Sequence, residues 1–180
     1  MAQTPPIILK DPKTAALLAW LVPGLGHFYQ GRTGKAILYA VCILGLYGVG
    51  LALGEGHNVY WRWINPLHNA EEFRFSYICQ FFVGLPSLPA LIQATLQWSG
   101  HDPILGGLMA EPPQNVLFGL HARLGKLVEV GSVYTMVAGL LNVLAIYDAY
   151  EGPAYADDDE SDPGLTTESP RKELSVEARA

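Results

Sequence analysis

Between Lys35 and Glu55 the chain carries no charged residue. An uncharged apolar run of this length matches the ~20 helical residues that cross the ~30 Å hydrocarbon core of a bilayer. Lipid supplies no hydrogen-bond partners, so such a segment has to satisfy its backbone internally, as a helix does. Three further stretches are apolar, at 14–28, 75–100 and 130–147. Together the four predict an all-α integral membrane bundle of about four spans arranged as two hairpins.

Charge is divided unevenly along the chain. Through Tyr150 there are eight Lys/Arg and eight Asp/Glu; from Glu151 onward there are nine acids and three bases. The whole formal charge of −6 therefore belongs to the last thirty residues. A segment as acidic and Pro/Ser/Thr-rich as 151–180 cannot bury a core, and it is expected to be a disordered tail. The neutral body offers no basic patch, which argues against a nucleic-acid partner. Cys42 and Cys79 lie in separate apolar stretches and read as small buried hydrophobes. Lone cysteines do not supply the closely spaced ligands of a metal site. Lys10 and Lys13 precede an apolar run, as in an export signal, but apolar character resumes after Lys35, so the first stretch is expected to stay in place.

Local sequence divides the body further. Residues 1–13 form a polar, proline-bearing arm, and Thr14 is expected to cap the first helix. The first stretch is short and is interrupted at Pro23-Gly24-Leu25-Gly26. The third contains Pro86 and Pro89. Between them, 55–74 is an aromatic-rich loop in which Tyr60-Trp61-Arg62-Trp63 suits the headgroup layer. Residues 114–129 carry an apolar stripe of Val116, Leu117, Leu120, Leu124, Leu127 and Val128, as in a helix lying in the interface. The expected units are the arm 1–13, a hairpin 14–54, the loop 55–74, a second hairpin 75–150 and the tail 151–180.

Small residues mark where membrane helices approach closely. In the second span Gly45, Gly48 and Ala52 share a face, and Gly50 and Gly54 form a GxxxG pair. In the fourth, Gly131, Thr135, Ala138, Asn142 and Ala145 share a face, with Val133, Val137, Leu140, Leu144 and Tyr147 leaning the other way. These faces predict packing within the chain or against a second membrane protein or copy. Asn142, deep in its span, requires a partner, and Asp148 is expected at the exit, where water reaches it.

The turn motif Pro23-Gly24-Leu25-Gly26-His27-Phe28-Tyr29-Gln30-Gly31-Arg32, followed by a glycine-rich span, resembles the two-transmembrane (TM-two) domain family over residues 14–54. The resemblance implies a helical hairpin with a tight turn around residues 27–35, and it implies no reaction or substrate. His27 stands directly before Phe28 where that family usually has a basic residue. The last span, from Tyr134 to Asp148, looks like the end of small bacterial multi-pass membrane proteins of unknown function.

No nucleophile–base pair, phosphate loop or zincin histidine spacing occurs, and the adjacent Glu71 and Glu72 would diverge on a helix or strand. The expectation is a non-enzymatic protein without cofactor or metal. Its environment is the lipid bilayer of the cell (inner) membrane, and its role is structural or interactive. The alternative is a module that binds or transports a small molecule or lipid. Its site would lie between the proline-broken spans, lined by His27, Gln80, Gln93 and Asn142. Basic residues near the spans divide four and four between the two sides, so charge bias sets no direction. Both termini are expected on one side, taken as cytoplasmic because no signal exports the arm.

Overall fold

The computed structural model describes residues 10–63 and 74–152. Residues 1–9, 64–73 (half of the 55–74 loop, with Glu71 and Glu72) and the acidic tail from Pro153 lie outside the described residues. Among the described residues the chain is all-helical, without strands. Seven α-helices follow in order: α1 (Pro12–Leu21), α2 (Leu25–Tyr29), α3 (Thr33–Leu53), α4 (Phe75–Phe81), α5 (Leu88–Trp98), α6 (Gln114–Leu124) and α7 (Leu127–Glu151).

Two of them, α3 and α7, are long and apolar enough to cross a membrane. With 21 and 25 residues they rise about 31 and 37 Å at 1.5 Å per residue. They pack antiparallel. Gly50 meets Gly131 at one end, and Lys35 reaches Asp148 at the other.

The first and third apolar stretches differ from the expectation of full spans. The cap of α1 is Asp11, not Thr14; its Oδ2 accepts from the Thr14 N–H at 2.8 Å. From there α1 runs antiparallel to α7. Ala15 clusters with Ala149, and the Ala19 carbonyl accepts from Asn142 at 3.1 Å. Proline then removes a backbone donor and Gly24 takes a left-handed turn (φ +87°), which ends the helix. The chain reverses, and α2 lies across α1. A Cβ on Gly26 would stand 2.8 Å from that of Ala19, so only glycine admits this approach. At His27 the chain is back beside Asp148.

A second reversal enters from the other end. α4 runs parallel to α7, with Gln80 bonded to Thr135 at 2.8 Å and the Phe82 carbonyl accepting from Asn142 at 2.8 Å. It breaks at Gly84, and a 3-10 turn over Leu85–Ser87 leads into α5. Tyr47 and Tyr77 hold this tip by donating to the carbonyls of Pro86 and Ser87. α5 then returns toward the Gly56 end. Gln93 on α5 holds the 104–108 connector, and Met109 N–H donates to the Gly56 carbonyl at 2.8 Å. The tips of the two reversals touch: the Trp20 and Phe81 rings lie 5.5 Å apart. Four full-length spans thus reduce to two long helices and two broken hairpins. Pieces of 5 to 11 residues cannot cover about 30 Å.

Two smaller differences follow from backbone geometry. The amphipathic segment 114–129 is not one helix. Gly125 (φ +55°) separates α6 from α7, which starts at Leu127. Tyr60 is buried beneath the Arg74 guanidinium, 3.9 Å from its ring centroid, so it is not a headgroup anchor. Cys79 is buried as expected of a small hydrophobe, but Cys42 is exposed.

Candidate functional site

The turn motif wraps the C-terminal end of α7. Pro23, Gly24, Gly26, His27 and Arg32 are buried, Tyr29 is half-buried, and Phe28 and Gly31 are exposed. Each polar member reaches one short piece of α7. His27 Nε2 lies 2.8 Å from Asp148 Oδ2. Arg32 donates to both carboxylate oxygens, at 3.3 and 3.1 Å, and to the Asp148 carbonyl at 3.0 Å. Lys35, from the first turn of α3, donates to both oxygens at 3.2 Å. Gln30 donates to the Ala149 carbonyl.

The arrangement answers two needs of a helix end. The last carbonyls of α7 run short of intrahelical donors; Gln30 supplies one to Ala149, and Arg32 adds a second donor to the Asp148 carbonyl, which also accepts the capping Gly152 N–H at 3.2 Å. A carboxylate at a helix C-terminus faces the negative end of the helix dipole, and the two permanent cations around Asp148 offset that repulsion. Burial pushes the His27 imidazole below its ordinary range, while the hydrogen bond to Asp148 opposes the shift. Its Nδ1 has no partner among the described residues. Among the described residues no three metal-ligating side chains gather. As built, the site is an ionic latch joining α2, the turn, α3 and α7.

The packing faces fall out differently on the two long helices. On α7, Gly131, Thr135, Ala138, Asn142 and Ala145 are buried, and Val133, Val137, Leu140, Leu144 and Tyr147 are exposed. On α3 the inward face is Ala36, Ile43, Tyr47 and Gly50. Gly45, Gly48 and Ala52 face outward, and a Cβ on Gly45 or Gly48 would meet nothing within 4 Å. The packing expected of those three within the chain is therefore corrected. At 100° per residue they sit across the helix from Gly50, the glycine that meets α7.

The four polar residues of the expected ligand site do not come together. His27 binds Asp148, Gln80 binds Thr135 and the Asn58 carbonyl, and Gln93 binds the connector at Ile104 and Leu108. Asn142 donates to the open ends of α1 and α4. Asp148, Lys35 and Asn58 were not singled out from sequence as site or packing residues. The one signal for the first was a lone acid at the end of an uncharged span.

Fold and site together define an all-helical protein with two helices fit to cross a bilayer, fastened at one end by an ionic latch. The chain belongs to the family of unknown function DUF6677, which matches residues 14–161. That match does not show a TM-two domain. No curated protein and no solved structure matches the chain.

Proposed function

We propose that this is an integral membrane protein with a structural or interaction role and no enzymatic activity. Only α3 and α7 cross the bilayer. The hairpins α1–α2 and α4–α5 dip in from opposite faces and meet near the middle. The observation that carries this reading is the use made of Asn142. Its amide donates to the Ala19 and Phe82 carbonyls, the loose ends of two helices broken at the depth where water is absent. Broken backbone is tolerated in a membrane only where protein covers it. The outward side chains of both long helices are apolar, among them Ile37, Leu38, Val41, Val137, Leu140 and Leu144, which suits contact with acyl chains. The binding or transport alternative is not favoured, because each polar group assigned to it is engaged locally.

In this topology the arm, the 27–35 turn and the tail share one side; the 54–63 loop and the 100–113 connector share the other. The nearby basic residues again divide four and four, with Lys10, Lys13, Arg32 and Lys35 against Arg62, Arg74, Arg123 and Lys126.

The test uses single cysteines introduced as Gly31→Cys, Trp63→Cys, Ile104→Cys and Tyr150→Cys, with Cys42→Ser and Cys79→Ala. Intact cells or vesicles are treated with a membrane-impermeant maleimide. Positions 31 and 150 should label from one side, and 63 and 104 from the other. Four crossings would instead pair 63 with 150 and 31 with 104. Recovery of the protein in the soluble fraction after alkaline carbonate washing would overturn membrane integration itself.

A further inference from the structure

We infer that α5 and the 104–111 connector form one flap, which opens as a unit from the clamped α3–α7 pair. The inward face of α5 is Ala90, Gln93 and Ala94, two small side chains and an amide, while its bulky Ile92 and Trp98 are exposed. Among the described residues α5 packs closely on neither α3 nor α7; it gives the core Ala90 and part of Leu91. Buried apolar area is what fastens a helix to its neighbours, and α5 buries little. Within the flap, by contrast, the ties are dense. Gln93 accepts from the Ile104 N–H at 3.0 Å and donates to the carbonyls of Ile104 and Leu108. One turn on, Gln97 accepts from the Glu111 N–H at 3.2 Å and donates to its carbonyl at 3.1 Å. Two carboxamides thus bind the connector backbone to α5. The ends of the flap are defined as well. Tyr47 and Tyr77 hold the Pro86 and Ser87 carbonyls ahead of it, and Pro112 and Pro113 follow it.

The ties that leave the flap centre on Gly56. The Met109 N–H donates to the Gly56 carbonyl at 2.8 Å. Leu108 lies against the same glycine, where a Cβ would stand 2.3 Å from its Cδ1. Glu111 adds an ion pair with Arg62. The Gly56 contact is made in strained backbone: Glu55 (φ +49°) and Met109 (φ +58°) are left-handed, as is Leu105 (φ +55°) at the exposed tip. Outside glycine that conformation is costly, and it persists where the surrounding structure imposes it. Opening relieves the strain at Met109 and withdraws its side chain from the cluster it shares with Val59 and Tyr77. The Asp148 latch and the Gly50–Gly131 contact lie outside the flap and stay closed.

The test is hydrogen–deuterium exchange on the full-length protein in detergent, read on peptides covering 88–98, 104–111 and the centre of α7. The first two should share one protection factor, about 100-fold or more below that of α7. Gly56→Ala sets a Cβ against Leu108 at a backbone φ of +76°. It should raise exchange in both flap segments by the same factor, about tenfold, and leave α7 unchanged. Gln93→Leu should uncouple the two segments, with 104–111 then exchanging faster than 88–98. Protection of 88–98 equal to that of α7 in the wild type would overturn the inference. So would a Gly56→Ala effect confined to one segment or shared equally by α7, or a common protection factor that survives Gln93→Leu. Should a variant fail to fold, the wild-type comparison of the three peptides still decides.

Discussion

The α3–α7 pair is closed at its two ends by opposite means. At the Asp148 end, side chains from three elements, the cations Arg32 and Lys35 and the neutral His27, converge on one carboxylate. At the Gly131 end the helices touch because side chains are missing, and neutral amides fill in behind the backbone. The difference lies in what each end tolerates. An ionic latch has several overlapping members, and water reaches part of it: Asp148 is a quarter exposed and Lys35 about half. A glycine contact has no slack. Disruption should therefore be abrupt at one end and graded at the other.

The largest effect should come from Gly131→Leu. Overpacking a tight contact costs typically 1–3 kcal/mol and occasionally more, and here the added atoms meet backbone carbonyl rather than a movable side chain. We expect loss of most monodisperse protein on size exclusion in detergent. The matched Gly48→Leu, on the open face of α3, should extract like wild type and change stability by no more than about 1 kcal/mol. Equal behaviour of the two variants would remove the distinction between inner and outer faces.

Asp148→Asn should cost less, about 2 kcal/mol. Stranding buried Arg32 is expensive, but solvent at Asp148 and Lys35 screens part of the loss. A melting curve that fails to shift would show that the latch does not fasten α7.

The smallest effect is a pH dependence through His27. Burial holds its folded-state pKa below the ordinary 6.5, so the folded state keeps the ring neutral while the unfolded chain takes up a proton. The stability it contributes is intact above about pH 6.5 and is lost as pH falls from there through the depressed folded value. Tm measured from pH 8 to 5 should fall in that window, and His27→Gln should flatten this part of the profile. A fall of equal size in the variant would assign it to other groups.

Periodicity made α7 readable. Small and bulky residues alternate at helical spacing over its length, and buried and exposed faces follow that division. On α3 the same rule chose the outward Gly45, Gly48 and Ala52 alongside Gly50, the glycine that meets α7. That helix is apolar all round, so no polar face orients it, and Gly45, Gly48 and Gly50 look alike until a partner is known. The prolines announced where α1 and α4 break but not that the chain turns back, because reversal depends on Gly24 and Gly84 docking against other segments. The latch was half legible. His27 and Arg32 stood in a recognisable motif, while Asp148, 121 residues beyond His27, carried no sign of pairing with it.

The Asn142 amide also has a consequence for the order of assembly. The ribosome makes α7 last among the described helices, yet α1, α3, α4 and the turn all bond to it. Until Asn142 is synthesised, the Ala19 and Phe82 carbonyls lack the donor that joins them, and Arg32 has no carboxylate until six residues later. The earlier helices can meet one another before then, as Trp20 and Phe81 do, but the bonds that tie α1, α4 and the turn to α7 close only once translation has passed residue 148.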